Sequence, residues 1–244
     1  IQMNLRTFAG KCTKNPLIVQ RLKRTPSIVS KLERFATMQL ARMQDIGGCR
    51  AVVDSAAQVK QLYQLFLQSR TKHELVAQRD YMSTPKQSGY RSIHLVYRYQ
   101  SSKYTGHTGL MIEIQLRSRL QHAWATGVET VSAFIRSPLK SSIGPEDWLR
   151  FFALLGSLFA MEEKSPLVPG TSYSRSALVD ALHELNSRIS AVERLVHFGA
   201  LIQHVTTVQN LEHKFFLMYL KPADNLTQVT GYTSADVDQA TRDY

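Results

Sequence analysis

The central part of the chain shows two hydrophobic periods, which predict alternating strands and helices. Residues 49–53 are mostly apolar and predict a buried strand, whereas residues 56–69 carry apolar side chains at helical spacing. Another strand is predicted at residues 74–82, and the loop at 83–89 is rich in residues typical of turns. This order indicates strands connected by a crossover helix.

A hairpin and a further helix are predicted next. Residues 91–99 and 110–116 have the pattern of strands, and the Ser- and Gly-rich turn between them favours an antiparallel hairpin. A helix carrying Leu120, Trp124 and Val128 follows. One crossover helix combined with hairpins implies a mixed sheet, so we predict an α+β (α/β layered) fold flanked by helices.

The N-terminal segment is strongly basic. Residues 1–42 contain nine Lys or Arg residues and a single acid, Glu33. Thr25-Pro26 is a helix-start signal, after which Ile28, Leu32 and Phe35 continue as an apolar stripe. Because the charge is almost entirely of one sign, the pattern favours anion binding over a salt-bridged helix face.

The C-terminal part is predicted to be mainly helical as far as Val208. Short strands are predicted beyond it, at residues 215–220 and 226–232. We therefore predict a division into residues 1–140, with basic N-terminal helices and the mixed sheet, and residues 141–244, a helical extension ending in a small β element.

Composition narrows the partners and the location. The 244 residues include 30 Lys+Arg and 19 Asp+Glu, a formal net charge of +11, which favours nucleotides, nucleic acids or an acidic protein as partners. Cys12 and Cys49 supply neither a disulfide framework nor four zinc ligands, which favours the cytoplasm. The apolar run at 151–161 is too short to span a membrane, so it predicts a buried helix and no membrane partner.

Two carboxylates stand where a buried sheet would not ordinarily carry them. Asp45 precedes the first central strand, and Glu113 lies inside an apolar strand whose alternation places Glu113, Gln115 and Arg117 on one face. A polar row on an interior strand is costly unless it lines a cleft, and Mg²⁺ takes one or two carboxylates together with phosphate oxygens. The spacing alone leaves two interpretations open, a magnesium site and a solvated sheet face paired with lysines.

The loop after the third strand carries groups suited to a nucleotide. Gly89 permits a sharp turn, Tyr90 offers a ring for base stacking, and Lys86 and Arg91 suit phosphates. The alternative is an ordinary hairpin loop followed by a partly buried tyrosine. His94 lies among apolar strand residues, so a core histidine and a catalytic one are both open interpretations.

Taken in order, these segments resemble the RelA/SpoT family of pyrophosphokinases. The resemblance covers residues 20–127, about half of the chain, and the succession of five motifs is more specific than any one of them. The motifs are Arg21-Leu-Lys23 with Ser27-Ile28 and Lys31-Leu32, Asp45-Ile-Gly-Gly-Cys-Arg50, Arg79-Asp80-Tyr81, Pro85-Lys86-Gln-Ser-Gly89-Tyr90-Arg91-Ser92-Ile-His94, and Glu113-Ile-Gln115-Leu-Arg117 with His122-Ala-Trp124-Ala.

The resemblance implies a fold related to DNA polymerase beta-type nucleotidyltransferases. It also implies transfer of the β,γ-diphosphate of ATP to a ribose 3′-hydroxyl, with Mg²⁺ as cofactor. By position, Asp45 and Glu113 would be the catalytic residues and hold Mg²⁺, and Glu113 would take the proton of the attacking hydroxyl. The residues implied to bind ATP are Arg21 and Arg50, on either side of adenine, with Lys23, Ser27, Lys31 and Arg79. The residues implied to bind the acceptor are Lys86, Tyr90, Arg91, His94, Gln115, Arg117 and His122, with Tyr90 stacked on the base.

Two departures from the family pattern affect the acceptor. His122 stands where family members frequently have Asn, and Val128-Glu129 stands where they often have Glu-His. A third departure is the lack of any His-Asp pair, which is expected of a small member with synthetase activity only.

Three functions remain open from the sequence. The first is synthesis of (p)ppGpp from ATP and GTP or GDP. The second is pyrophosphorylation of the 3′ end of tRNA, a toxic reaction that blocks translation, in which the basic N-terminal surface would add sequence-independent affinity. Such an activity would be restrained by the C-terminal extension or by a separate antitoxin. The third is a catalytically silent module that binds RNA or a partner, but the presence of both carboxylates favours an enzyme.

Overall fold

A five-stranded sheet and the helices packed around it form most of the described part of the chain. The structure, a computed structural model, describes residues 1–23, 25–103 and 105–197 and the backbone of 215–220 and 227–232, without the side chains of Pro26, Ser27 and Ala41. The strands are β1 (Leu17–Leu22), β2 (Gly47–Val53), β3 (Glu74–Asp80), β4 (Ile93–Arg98), β5 (Met111–Ser118), β6 (Phe215–Leu220) and β7 (Thr227–Tyr232). The helices are α1 (Gln2–Cys12), α2 (Thr25–Arg34), α3 (Ala56–Gln68), α4 (Arg119–Phe134), α5 (Glu146–Glu162) and α6 (Arg175–Ile189), and residues 191–197 are also helical.

The sheet is mixed, as the sequence pattern predicts. Its strand order is β1-β2-β5-β4-β3, in which β2 and β5 are parallel and all other neighbours are antiparallel. The predicted hairpin is formed by β4 and β5, and the predicted α+β class is confirmed. The pattern does not predict the edge strand β1, because its six residues do not alternate between buried and exposed positions.

One face of the sheet packs on α1 and α3 to form an apolar core. α3 begins at a capping box in which Ser55 and Gln58 bond each other's backbone N–H groups, and its apolar residues then recur at helical spacing. Ile114 and Leu116 of β5 point into this core. The predicted alternation along β5 is therefore confirmed, and its polar residues lie on the other face.

A second apolar core lies between α4 and the helices that follow it. The indole Nε1 of Trp124 on α4 donates to the backbone oxygen of Phe152 on α5 at 2.9 Å. Leu178 on α6 belongs to the same cluster, and so does Tyr90, which lies just before β4. The C-terminal helices therefore share a core with the loop between β3 and β4.

Two glycines allow α5 to lie directly against that loop. Gly89 has a φ of +94°, and a Cβ there would lie 2.7 Å from the backbone oxygen of Phe152. A Cβ on Gly156 of α5 would lie 2.9 Å from the Cα of Gly89. Since no side chain fits between them, the backbone of α5 helps to shape the loop.

The predictions for the two ends of the chain are met in part. The helix predicted to start at Thr25 is α2, although the N-terminal region also contains β1 and is not made of helices alone. The predicted C-terminal helices are present through residue 197, the predicted helix at 198–208 lies outside the described residues, and the predicted strands correspond to β6 and β7. The boundary between residues 140 and 141 stays a prediction. Among the described helices, none combines the length and the apolar character needed to cross a membrane.

Candidate active site

Polar side chains from separate motifs meet on one face of the sheet. The strand register aligns one row of paired residues across four strands, namely Arg50, Gln115, His94 and Arg79. The neighbouring row across β1, β2 and β5 consists of Arg21, Gly48 and Glu113. Because residues paired across strands share a face, Arg21 and Arg50 lie on the same face as the carboxylate of Glu113, as their predicted roles require.

Gly48 leaves a gap in this polar face beside Glu113. A Cβ on Gly48 would lie 2.6 Å from the backbone oxygen of Glu113, so β2 and β5 approach too closely for any side chain at this position. As a result, no side chain stands between Arg21 and Glu113 in this row.

Asp45 lies in the turn before β2 and is bound by two lysines. Lys23 Nζ donates to Oδ2 at 2.7 Å, and Lys31 Nζ donates to Oδ1 at 2.9 Å. Burial on its own would raise the pKa of Asp45, but the hydrogen bonds and charges of both lysines outweigh it and lower the pKa to about 2. Asp45 is therefore ionised at neutral pH, and two of the predicted phosphate-binding residues lie directly at its carboxylate.

Glu113 is held by two side chains of the polar face. Its Oε1 lies 2.9 Å from His94 Nδ1, and its Oε2 accepts from Gln115 Nε2 at 2.7 Å. Burial would raise the pKa of Glu113, but the bonds from His94 and Gln115 outweigh it and lower the pKa to about 2. The charge of Asp45 acts against this lowering, as expected of two neighbouring carboxylates.

A cavity of about 490 Å³ is lined by both carboxylates. Lys31, Arg42 and Arg79 line the same cavity and surround the two acids with positive charge. Two anionic groups in a cationic pocket are suited to a polyphosphate that arrives with a hard cation.

The two carboxylates fit Mg²⁺. This ion is usually held through one or two carboxylates, while water and substrate phosphates complete its shell. The part of the chain that the structure describes contains no group of three or more His, Cys, Asp or Glu side chains that could hold a metal ion. A magnesium ion at Asp45 and Glu113 would therefore depend on nucleotide oxygens, and it stays a prediction.

The part of the polar face around Tyr90 is called the acceptor side here. The Tyr90 ring is only 3% exposed, and its hydroxyl lies 2.6 Å from His94 Nε2 and accepts from Arg117 Nη2 at 3.1 Å. The ammonium groups of Lys140 and Lys86 lie 5.2 and 5.6 Å from the ring centroid. A base can stack on Tyr90 only after one of these lysines moves, so the predicted stacking is blocked in this conformation.

Arg117 is fully buried and has hydrogen-bond donors to spare. Its Nη2 donates to Gln115 Oε1 at 2.9 Å, and Arg50 Nε donates to the same oxygen at 3.2 Å. Arg117 Nε and Nη1, together with His122 Nδ1, have no hydrogen-bond partner among the described residues. Buried donors without acceptors are costly, and the acceptor-binding roles of Arg117 and His122 stay predictions.

Arg91, which the resemblance implies binds the acceptor, is buried and paired with an acid at the end of α5. Its guanidinium is 2% exposed and donates from Nη1 to Glu163 Oε2 at 3.0 Å, at the end of α5. Gln121 Nε2 of α4 donates to the same oxygen at 3.1 Å. Arg91 therefore joins the sheet to the C-terminal helices, while its Nε has no hydrogen-bond partner among the described residues. Its role toward the acceptor stays a prediction.

The remaining predicted residues are placed as follows. Arg79 donates to Gln44 Oε1 at 3.3 Å at the cavity wall, and Lys86 Nζ lies 4.5 Å from the ring centroid of Tyr81. Ser27 lies on α2, but its side chain is outside the described residues.

The structure adds two residues that the motifs do not reveal. Lys140 Nζ donates to Glu129 Oε1 at 2.9 Å beside the ring of Tyr90. Glu129 stands seven positions after His122, so both lie on one side of α4, and this spacing was the available signal. Lys140 lies in a short 3₁₀ turn after α4 and has no sequence signal at all.

The sequence motifs that form this site lie in a region shared with known proteins. Residues 20–135 match the region found in RelA/SpoT proteins. The chain is 36% identical over 114 residues to GTP pyrophosphokinase YjbM of Bacillus subtilis, covering 45% of this chain and 52% of that protein. It is 29% identical over 111 residues to GTP pyrophosphokinase YwaC of the same organism, covering 43% and 52%. The chain therefore spans about half the length of these curated relatives.

Solved structures share the fold. Small alarmone synthetase 1 from Bacillus subtilis, bound to its product pppGpp, superposes with a TM-score of 0.57 at 23% identity, covering 67% of this chain and 85% of that one. A GTP pyrophosphokinase family protein from Streptococcus pneumoniae gives 0.54 at 22% identity, covering 67% and 82%. The motifs, the sheet and the family match agree that residues 20–135 of this chain correspond to the region found in RelA/SpoT proteins.

Proposed function

We propose that this protein is an ATP-dependent pyrophosphokinase that transfers the β,γ-diphosphate of ATP to a ribose 3′-hydroxyl of GTP or GDP. The observation that carries the proposal is the pair of ionised carboxylates, Asp45 and Glu113, in one cationic cavity. Both curated relatives are named GTP pyrophosphokinases, and the solved relative is bound to pppGpp, which supports a guanosine acceptor.

The cations around Asp45 would neutralise the triphosphate of ATP. Lys23 and Lys31 balance the charge of Asp45, while Arg79 faces the same cavity. A bound triphosphate with its cation offers these three groups phosphate oxygens in place of their present partners. Phosphoryl-type transfer needs mainly positioning and charge neutralisation, which these cations supply.

Asp45 and Glu113 are the residues that would hold Mg²⁺. The ion, when bound, would neutralise charge that develops on the transferred group and on the leaving oxygen. In this arrangement the protein supplies two carboxylates already ionised at neutral pH, so no proton has to leave before the cation binds.

We propose that Glu113 takes the proton of the acceptor hydroxyl. The 3′-oxygen attacks the β-phosphorus of ATP, its new P–O bond forms, and the bond from the β-phosphorus to the oxygen retained by the α-phosphate breaks to release AMP. The hydroxyl proton passes to Glu113. His94 and Gln115 each bond one oxygen of this carboxylate and fix its orientation.

A labelling experiment tests the proposal. The full chain is incubated with γ-³²P-ATP and Mg²⁺ together with GDP, GTP, ATP or deacylated tRNA, and products are separated. We expect label in the guanosine nucleotide and release of AMP, since transfer of a single phosphoryl group would release ADP instead. Label in tRNA alone would show that the acceptor is tRNA and not a guanosine nucleotide, and would favour the toxic reaction. No transfer to any acceptor, with the protein folded, would contradict the enzyme and favour a binding module.

A further inference from the structure

A lysine from outside the family motifs covers the ring on which the proposed acceptor would stack. Lys140 Nζ lies 5.2 Å from the ring centroid of Tyr90. A cation at this distance from an aromatic ring is held there by the ring quadrupole. A purine base and this ammonium group cannot share the same position against the ring, so acceptor binding displaces Lys140 or Lys86.

The position of Lys140 is determined by the backbone around it. Two non-glycine residues with positive φ flank the segment, Arg136 at +51° and Ser142 at +58°. Leu139 is 2% exposed and anchors the segment in the second core, and Arg34 Nη1 of α2 donates to Ser141 Oγ at 2.8 Å. A backbone constrained in this way keeps Lys140 beside Tyr90, unlike a lysine at the tip of a free loop.

Glu129 holds the ammonium group of Lys140 from the other side. Its Oε1 lies 2.9 Å from Lys140 Nζ, and about half of its side chain is exposed. Burial raises the pKa of Glu129, but Lys140, Arg117 and Arg50 outweigh it and lower the pKa, so the group is a carboxylate at neutral pH. The ammonium group of Lys140 therefore contacts both this carboxylate and the Tyr90 ring.

We propose that Glu129 reads the acceptor base as guanine by exchanging its Lys140 partner for the base edge. When a base takes the place of Lys140 on Tyr90, Glu129 loses the hydrogen bond it now accepts. An ionised carboxylate can only accept hydrogen bonds. The Watson–Crick edge of guanine offers two adjacent donors, N1–H and N2–H₂, whereas adenine offers one donor, N6–H₂, next to an acceptor at N1. Guanine can therefore donate to both carboxylate oxygens, whereas adenine donates to one and places the N1 lone pair against the other.

This inference rests on the proposed function and adds the residue that selects its acceptor. The test measures kcat/KM of the full chain for GDP, IDP and ADP as acceptors, for wild type and Glu129→Gln. Glutamine has the same shape but no charge, and it adds a donor that suits adenine. In Glu129→Gln we expect the ratio of kcat/KM for GDP to that for ADP to fall at least about tenfold, because a hydrogen bond to a charged group is lost. IDP, which lacks only the N2 amine, is expected to lie between the two nucleotides.

Glu162→Gln is the matched control. Glu162 is also about half exposed and paired, in its case with Arg175, and it lies at the end of α5 away from the polar face. Its substitution is expected to leave the ratio unchanged. A second variant, Lys140→Ala, removes the competing cation and is expected to tighten GDP binding about two- to fivefold.

Equilibrium binding of the same nucleotides without ATP tests base selection by Glu129 separately from the transfer reaction. Guanine preference in binding that is lost in Glu129→Gln supports the inference even if no transfer is detected. An unchanged GDP-to-ADP ratio in Glu129→Gln, relative to Glu162→Gln, would overturn it while transfer itself continues. Label entering the terminal adenosine of tRNA in preference to GDP would overturn it as well.

Discussion

His94 bonds Glu113 through Nδ1 at 2.9 Å, while its Nε2 lies 2.6 Å from the hydroxyl of Tyr90. One imidazole therefore connects the carboxylate implied to act on the acceptor hydroxyl with the ring implied to stack on the acceptor base. Both neighbours depend on the same ring orientation, so His94 is a positioning residue for the acceptor side.

The two nitrogens of His94 can be tested separately. His94→Asn keeps a donor near the place of Nδ1, whereas His94→Gln keeps one near the place of Nε2. We expect Asn to retain most of kcat and Gln to lower it about 10- to 100-fold, because only Asn still orients Glu113. The KM for ATP should stay constant in both. Equal losses in the two variants would mean that the bond to Glu113 is not the one that matters.

Loss of either acidic residue is expected to abolish transfer. Asp45→Ala and Glu113→Ala should each lower kcat more than about a hundredfold, since the cation contributes several kcal/mol of charge stabilisation. Circular dichroism should show an intact fold. Asp147→Ala removes a partly exposed acid paired with Arg188 and serves as the control. Normal turnover by either active-site variant would contradict the assignment of Asp45 and Glu113 as Mg²⁺ ligands.

Tyr90 is expected to act on the acceptor more than on ATP. Tyr90→Ala should raise the acceptor KM about tenfold or more, because base stacking on an aromatic ring contributes roughly 1–3 kcal/mol. Tyr90→Phe keeps the ring but removes an acceptor from buried Arg117, so we expect a loss of about 1–3 kcal/mol in stability with a smaller change in KM. Steady-state kinetics and denaturant unfolding measure the two effects. An unchanged acceptor KM in Tyr90→Ala would rule out stacking.

Acid should weaken the folded state through Asp45. Its pKa of about 2 lies below the ordinary 3.8, so between these values the unfolded chain binds more protons than the folded one. The free energy of unfolding therefore rises with pH across this window, and about 2 kcal/mol is lost as the pH falls through it. Asp45→Asn should show a flatter dependence between pH 2 and 4 in urea titrations. An identical slope would show that the lysine pairs do not form in solution.

The buried pair between Arg91 and Glu163 should dominate the attachment of α5. Glu163→Gln leaves the Arg91 charge buried without its counter-ion, and we expect a loss of about 3–5 kcal/mol in the free energy of unfolding. The exposed pair of Glu162 with Arg175 is the comparison, and Glu162→Gln should cost less than about 1 kcal/mol.

A double replacement separates pairing from packing at this position. Arg91→Met combined with Glu163→Leu removes both charges and should recover much of the stability lost in Glu163→Gln. A double variant as unstable as the single one would show that shape, and not charge, holds α5 in place.

Local patterns predict the sheet and its polar face because they act over a few residues. Strand alternation alone places Glu113 and Gln115 opposite the core residue Ile114, as observed. The pairing of Arg50 with Gln115 depends on a parallel register between β2 and β5, which are far apart in sequence, and no local pattern contains it. Only the resemblance to a family placed these groups together in advance.

The features that the sequence does not predict arise from contacts between distant segments. Arg91 follows the predicted glycine turn and looks like a phosphate ligand, but Glu163, 72 positions later, neutralises it. Lys140 reaches Tyr90 because of a constrained turn between helices, which hydrophobic periodicity does not describe. Glu129 is visible beforehand as a departure from the family pattern and through its helical spacing from His122.

The close approach of Gly89 and Gly156 has an evolutionary consequence. Even one methyl group on either residue would push α5 away from the loop between β3 and β4. A recombination event that transplanted a different C-terminal half onto this catalytic half would have to bring a glycine at the same place. The two halves are therefore expected to be inherited together, and chimaeras joined near residue 140 should lose activity unless this contact is rebuilt.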